Sequence, residues 1–214
     1  YFENTILINS RSYDKLKKNQ YNLSNSRIIF IDGNYEHLDV LQRENLNLNS
    51  LKDEYFKKLK VFLKKISLIF DKEIFICLHP NSNIQEYKKF FSEFNLGQFE
   101  TEKNIYSSFL VIFHESSSID TAIFLKKRII SLQTNLFGKY FENRINKYKN
   151  ELALMSVDLN EEFFFEKKEI YEKTKVNENK YNNYIRTYLK SDDNEDGISK
   201  LYRTLNEKFN LINK

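Results

Sequence analysis

The chain has 214 residues, 34 Lys and Arg against 30 Asp and Glu, a formal net charge of +4 and 41% hydrophobic residues. This is enough apolar material for one large domain or a domain with a helical extension, and the interleaved charges exclude a basic block aimed at nucleic acid. A single cysteine, Cys77, excludes an internal disulfide framework, and no apolar run approaches the roughly 20 residues that cross a bilayer.

Without a visible signal peptide the reading is cytoplasmic, and the lysine-rich amphipathic segments also suit the inner face of a membrane. Residues 1–26 are polar and rich in Asn and Ser. They read as a linker or the tail of a preceding domain, with Thr5–Ile8 as an edge strand or part of that tail and a loose helix near Tyr13–Tyr21. Arg27–Ile31 is an apolar run ending at Asp32-Gly33, the pattern of a buried strand. The polar loop after it carries His37. Open α/β sheets bind ligands beyond the carboxyl ends of their strands, which makes His37 a candidate binding or catalytic residue. The plainer reading is a surface histidine.

Leu51–Phe70 places Tyr55, Phe56, Leu59, Phe62, Leu63, Ile66 and Ile69 at three- and four-residue spacings with lysines opposite, an amphipathic crossover helix. Ile74–Leu78 is the next buried strand and runs straight into His79-Pro80-Asn81-Ser82. The only proline in the chain stops that strand and leaves His79 at the rim of the sheet. Asn83–Phe94 reads as a helix capped by Ser82 or Asn83, and Asn95–Ile105 as a short strand near Gln98-Phe99 plus a connector.

Phe109–Phe113 is a third strong strand, followed by His114, Glu115, Ser116, Ser117 and Ser118. A helical stripe of Ile119, Ala122, Ile123 and Leu125 comes next, and Lys126, Lys127 and Arg128 suit its carboxyl end. Three hydroxyls at a helix start exceed what a cap needs. With free backbone N–H groups there, the turn suits a phosphate. Asp120 in the first turn opposes an anion and is better placed to fix the turn or bind a hydroxyl. His114 is read equally well as a core histidine. Ile129–Leu132 is a further strand, the loop and helix from Asn135 to Asn150 make Asn135 a candidate contact, and Leu152–Val157 is an edge strand. Glu161–Val176, Tyr181–Leu189 and Ile198–Phe209 read as helices. Asp192–Gly197 imitates the start of a calcium loop, but its twelfth position is Arg203, which rules out that site. No Walker loop, GxGxxG or Cys/His metal spacing is present, and the absence of a GxSxG elbow argues against a serine hydrolase.

Strands alternating with helices predict an α/β fold with a parallel Rossmann-like sheet, helices on both faces and C-terminal helices. With the motifs so placed, the chain resembles the C-terminal, donor-binding half of GT-B glycosyltransferases of bacterial surface polysaccharides. The likeness is to sialyltransferase-like, Kdo-transferase-like and polyglycerol-phosphate-polymerase-like families, in which an HP dipeptide ends one strand and an SS pair followed by Asp opens a later helix. It covers about residues 27–160, with an echo at Asp196-Gly197-Ile198-Ser199. The resemblance implies a donor-binding domain over 27–160 and a helical extension over 161–214.

It further implies transfer from a CMP-, CDP- or UDP-linked donor without metal or cofactor. His79, the candidate catalytic group, would contact the nucleotide or its phosphate together with Pro80, Glu115, Ser116, Ser117, Ser118 and Asp120. His37, His114 and Asn135 are further candidates. The expected partners are a nucleotide-activated sugar, a glycan or lipid-linked acceptor and an N-terminal Rossmann-like domain carrying the general base. A CDP-glycerol-type transferase and a non-catalytic nucleotide- or partner-binding domain are the alternatives. UDP-N-acetylglucosamine 2-epimerases are more distantly similar. Ser117-Ser118 stand where that family has two glycines.

Overall fold

A computed structural model describes residues 7–18, 24–33, 48–191 and 195–212. His37 lies outside the described residues, as do Thr5 and Ile6 of the Thr5–Ile8 stretch and Asp192–Asn194 of the acidic loop. Six strands form one parallel sheet: β1 (Arg27–Ile31), β2 (Ile74–Leu78), β3 (Asn95–Gln98), β4 (Ser108–Phe113), β5 (Arg128–Gln133) and β6 (Met155–Asp158). Their spatial order is 3-2-1-4-5-6. That is the Rossmann order, in which the strand order reverses between β1 and β4 and leaves a crevice beyond their carboxyl ends.

Continuous apolar strands require cover on both faces, and the helices supply it. One face of the sheet (Ile28, Phe30, Ile76, Leu110, Ile112, Ile130) packs against α2 (Leu48–Phe70) through Phe56, Leu59, Phe62 and Leu63. Tyr87 of α3 (Ile84–Phe90) and Phe91 join it. The other face (Ile29, Ile31, Val111, Phe113, Ile129) packs against α4 (Thr101–Tyr106), α5 (Ile119–Phe124) and Tyr181 and Tyr184 of α8 (Glu178–Tyr184). The helix α6 (Gly138–Leu152) serves both clusters, with Phe141 and Ile145 in the first and Leu152 in the second. A short α7 (Lys167–Lys173) precedes α8, which continues as a π-helical turn over Ile185–Leu189. The final helix, α9 (Gly197–Ile212), leaves Ile198, Leu201, Tyr202 and Leu205 exposed.

Three local expectations are corrected. The helix after the serine turn stops at Phe124, before the cationic triplet. Lys126 takes a left-handed φ of 50°, and Lys127 turns inward to donate to the carbonyls of Tyr106 (2.9 Å) and Ser108 (2.8 Å). The lysine thus serves carbonyls at the start of β4 rather than a helix dipole. The connector before β4 contains α4, a helix too short for its periodicity to stand out in sequence. The helix read over Glu161–Val176 is confined to Lys167–Lys173.

The N-terminal stretch contributes α1 (Arg11–Lys18), which packs on α5 with Tyr13 and Phe124 ring centroids 5.1 Å apart. A buried polar knot fixes it. The Asp14 carboxylate accepts from Asn9 Nδ2 (3.2 Å) and from the Gly197 N–H (2.7 Å), while Asn9 Oδ1 accepts from Ser191 N–H (2.9 Å) and Oγ (3.1 Å). The backbone passes so close that a Cβ on Gly197 would meet the Asn9 carbonyl at 2.8 Å.

Candidate functional site

The carboxyl ends of β1 and β2 meet at Asp32, buried where β1 ends. Its carboxylate accepts from Ser82 Oγ (2.7 Å), Tyr87 Oη (2.9 Å) and the His79 N–H (3.3 Å). From the edge strand, Gln98 Nε2 donates to the carbonyls of His79 (3.1 Å), Pro80 (3.3 Å) and Ser82 (2.9 Å). The His-Pro-Asn-Ser turn is therefore clamped from both sides. The Asn81 N–H donates to His79 Nδ1 at 3.2 Å, which places the proton of the neutral ring on Nε2. An Nε2–H on a half-buried ring is a donor offered to a ligand.

Beyond β4 the serine turn departs from expectation in an informative way. Ser116 Oγ accepts from the Ser118 N–H (3.3 Å), and the N–H groups of Ile119, Asp120 and Thr121 bond to the carbonyls of Ser116, Ser117 and Ser118. These successive three-residue bonds consume the amides at the helix start, so they are not available to an anion, and α5 is only six residues long. The hydroxyls of Ser117 and Ser118 make no hydrogen bond among the described residues. Capping does not absorb them. Asn83, rather than Ser82, caps α3.

His79, Pro80, Ser116, Ser117, Ser118 and Asp120 line one cleft of about 750 Å³, within the range of small-molecule sites. Two motifs far apart in sequence thus share a rim of the sheet. Gly33 makes this closeness possible: a Cβ there would lie 2.2 Å from the Glu115 carbonyl oxygen, so the β1 and β4 loops touch only because residue 33 has no side chain. The Asp120 carboxylate has no hydrogen-bond partner among the described residues, so the side chain does not fix the turn. Burial pushes its pKa up from 3.8 to about 6.

Other candidates lie elsewhere. Glu115 turns away from the cleft to pair with Arg144 of α6 at 2.5 Å. His114 is a core residue, enclosed by Phe30, Tyr55, Phe137 and Phe141, with Nδ1 3.1 Å from the Leu132 carbonyl. Burial lowers its pKa to about 3, and Nε2 has no partner among the described residues. Asn135 is exposed at the start of a 3₁₀ turn and is not a cleft residue. Cys77 is buried, and burial raises its pKa to about 12, so it is no nucleophile.

Sequence reasoning missed several contributors to the cleft. Asp32, Tyr87 and Gln98 hold the histidine turn. Phe99 stands on the rim, 80% exposed and at a left-handed φ of 63°. A bulky residue in that conformation, with its ring unpacked, is a strained feature of the kind that collects at binding sites. The helix α1 supplies Arg11, Ser12 and Lys15 to the wall, and α4 supplies Thr101, Glu102 and Lys103. The signal for Asp32 was present, a lone carboxylate directly after an apolar strand. Nothing in the sequence marked α1.

Among the described residues no group of three His, Cys, Asp or Glu side chains is arranged to hold a metal ion, and no helix is long and apolar enough to cross a membrane. No protein-family model matches the sequence, and no curated protein matches it. Among solved structures, the chain is similar to the UDP-GlcNAc 2-epimerase of Methanocaldococcus jannaschii, crystallised in complex with UDP-GlcNAc and UDP. The TM-score is 0.47 and the identity 14%, over 85% of this chain and 53% of the epimerase. The chain thus spans about half the length of that enzyme.

Proposed function

We propose that this chain is the donor-binding part of a glycosyltransferase that uses a nucleotide-activated sugar in the synthesis of a surface polysaccharide. One observation carries the reading: His79 and the serine turn line a single cleft beyond the carboxyl ends of a parallel sheet ordered 3-2-1-4-5-6. The His79 Nε2–H and the free hydroxyls of Ser117 and Ser118 are directed donors suited to a phosphate oxygen. As the sugar leaves, negative charge grows on that phosphate, and preorganised donors stabilise it without a covalent step. Asp32, Gln98 and Tyr87 keep the histidine turn from rearranging as this happens. The exposed ring of Phe99 offers an apolar face to the nucleobase. The resemblance of the HP and SS motifs to the surface-polysaccharide transferases supports the choice of a transferase. On this reading the acceptor site and general base belong to an N-terminal domain.

Isothermal titration with CMP, CDP and UDP tests the proposal. The chain is expected to bind at least one of them, and His79→Ala to weaken that binding by roughly 10- to 100-fold, the worth of one charge-assisted hydrogen bond. Absence of binding by all three, or an unchanged affinity in the variant, refutes it.

A further inference from the structure

The cleft has a second polar wall that the histidine and the serine turn do not use. It is built by α1 and α4 and carries Arg11, Ser12, Lys15, Glu100, Glu102 and Lys103. Lys15 and Glu102 neutralise each other at 2.8 Å and tie the two helices together. Arg11 and Lys103 form no ion pair and no side-chain hydrogen bond among the described residues, and the Ser12 hydroxyl is likewise unused. Glu100 stands three residues before Lys103 on the same wall without pairing with it. Two cations therefore project along one cleft from separate helices, and neither helix can drift. The Asn9–Asp14–Ser191–Gly197 knot anchors α1, and the Lys15–Glu102 bridge fixes its spacing to α4.

We propose that Arg11, Lys103 and Ser12 form a second oxyanion subsite, so that the cleft selects a nucleotide carrying two anionic groups over a simple nucleoside monophosphate. The inference rests on the nucleotide reading above and extends it to a substrate class. One oxyanion, the phosphate next to the nucleoside, meets His79 and the serine turn. The other meets the guanidinium and ammonium of the α1–α4 wall, where a forked guanidinium grips two oxygens and Lys103 adds a point charge. The second oxyanion is either the β-phosphate of a nucleoside diphosphate or the carboxylate of an acidic sugar joined to a monophosphate. Asp120 and Glu100 are the remaining charged groups on the lining, and their carboxylates repel anions away from the two donor clusters.

Titration of the chain with UMP, UDP, CMP, CDP and CMP-N-acetylneuraminate separates these ligands, using the parent, Arg11→Gln with Lys103→Gln, and the charge-conserving Arg11→Lys with Lys103→Arg. The parent is expected to bind a diphosphate or the sugar acid about tenfold or more tightly than the matching monophosphate. The Gln pair should erase that difference while leaving monophosphate affinity within about twofold, and the charge-conserving pair should keep most of it. A diphosphate preference identifies the β-phosphate, and a preference for the acidic sugar alone identifies the carboxylate. Equal affinities in the parent, or an equal loss for mono- and diphosphates in the Gln pair, overturn the subsite. His79-dependent monophosphate binding with no second-anion gain refutes this inference alone, and no nucleotide binding at all refutes both it and the function above. Both positions are exposed, and thermal unfolding of each variant at the parent's temperature confirms that the fold is intact.

Discussion

Replacing Asp120 by Asn probes the energetics of the cleft directly. The carboxylate sits in the cleft wall on the first turn of α5, without a hydrogen-bond partner among the described residues, and burial raises its pKa from 3.8 to about 6. In the unfolded chain the same group titrates near its ordinary value. Between about pH 4 and 6 the folded state therefore holds a proton that the unfolded state has released, so its contribution to stability falls as pH rises through that window and is constant above it. Asn keeps the shape and removes the charge. The gain in unfolding free energy of Asp120→Asn over the parent is near zero below about pH 4 and grows across the window. It levels at about 3 kcal/mol, because each tenfold change in proton affinity is worth about 1.4 kcal/mol. For a chain of this size that is a rise of roughly 6–12 °C in midpoint. The facing groups, Tyr148 and Tyr184, do not titrate in this range: burial pushes both phenols above their ordinary value. Urea unfolding followed by circular dichroism from pH 3.5 to 8 gives the difference curve, since the chain has no tryptophan to report by fluorescence. A constant offset at all pH values, or a destabilised variant, refutes the argument.

Four further outcomes follow from the same geometry. Ser117→Ala with Ser118→Ala is expected to leave the unfolding free energy within about 0.5 kcal/mol, because neither hydroxyl caps the helix, while weakening nucleotide binding roughly tenfold in calorimetry. Tyr87→Phe removes a buried donor from Asp32 and is expected to cost about 1–3 kcal/mol in urea unfolding and to loosen nucleotide binding through the histidine turn. Gly33→Ala drives a methyl group into the Glu115 carbonyl and is expected to cost about 2–3 kcal/mol or more, with the midpoint denaturant concentration as the measure. His114 has its pKa lowered to about 3, so its contribution to stability is complete above about pH 6.5 and is lost as pH falls toward 3; His114→Phe is expected to flatten that acid limb in the same titration.

The parts of the fold legible in the sequence were those carried by continuous apolar runs. β1, β2 and β4 are each five or six residues made almost wholly of Ile, Leu, Val and Phe, β5 carries Ile129, Ile130 and Leu132 around Ser131, and a strand buried on both faces admits little else. The rim positions of His79 and the serine turn followed from the same runs, because a ligand-facing loop begins where an apolar strand stops. What stayed hidden was decided by long-range contacts with weak local signatures. The helix α1 has lysines and a few apolar residues in an Asn-rich stretch, and its place on the cleft is fixed by distant contacts: the burial of Asn9 and Asp14 against Gly197, some 180 residues away in the chain, and the Lys15–Glu102 bridge. His114 belongs to the core because Tyr55, Phe137 and Phe141 arrive from α2, the 3₁₀ turn and α6 to enclose it. Nothing adjacent to it in sequence could show that. Lys127 is the sharpest case. Composition places it on a wet helix end, yet it is buried, and its ammonium donates to the carbonyls of Tyr106 and Ser108 at the start of β4. The cleft divides along the same line. The half built by strand ends could be read from the chain, and the half built by α1 and α4 could not. The proposed phosphate contact therefore draws on sequence and structure together, while the proposed second charge is a question only the folded protein raises.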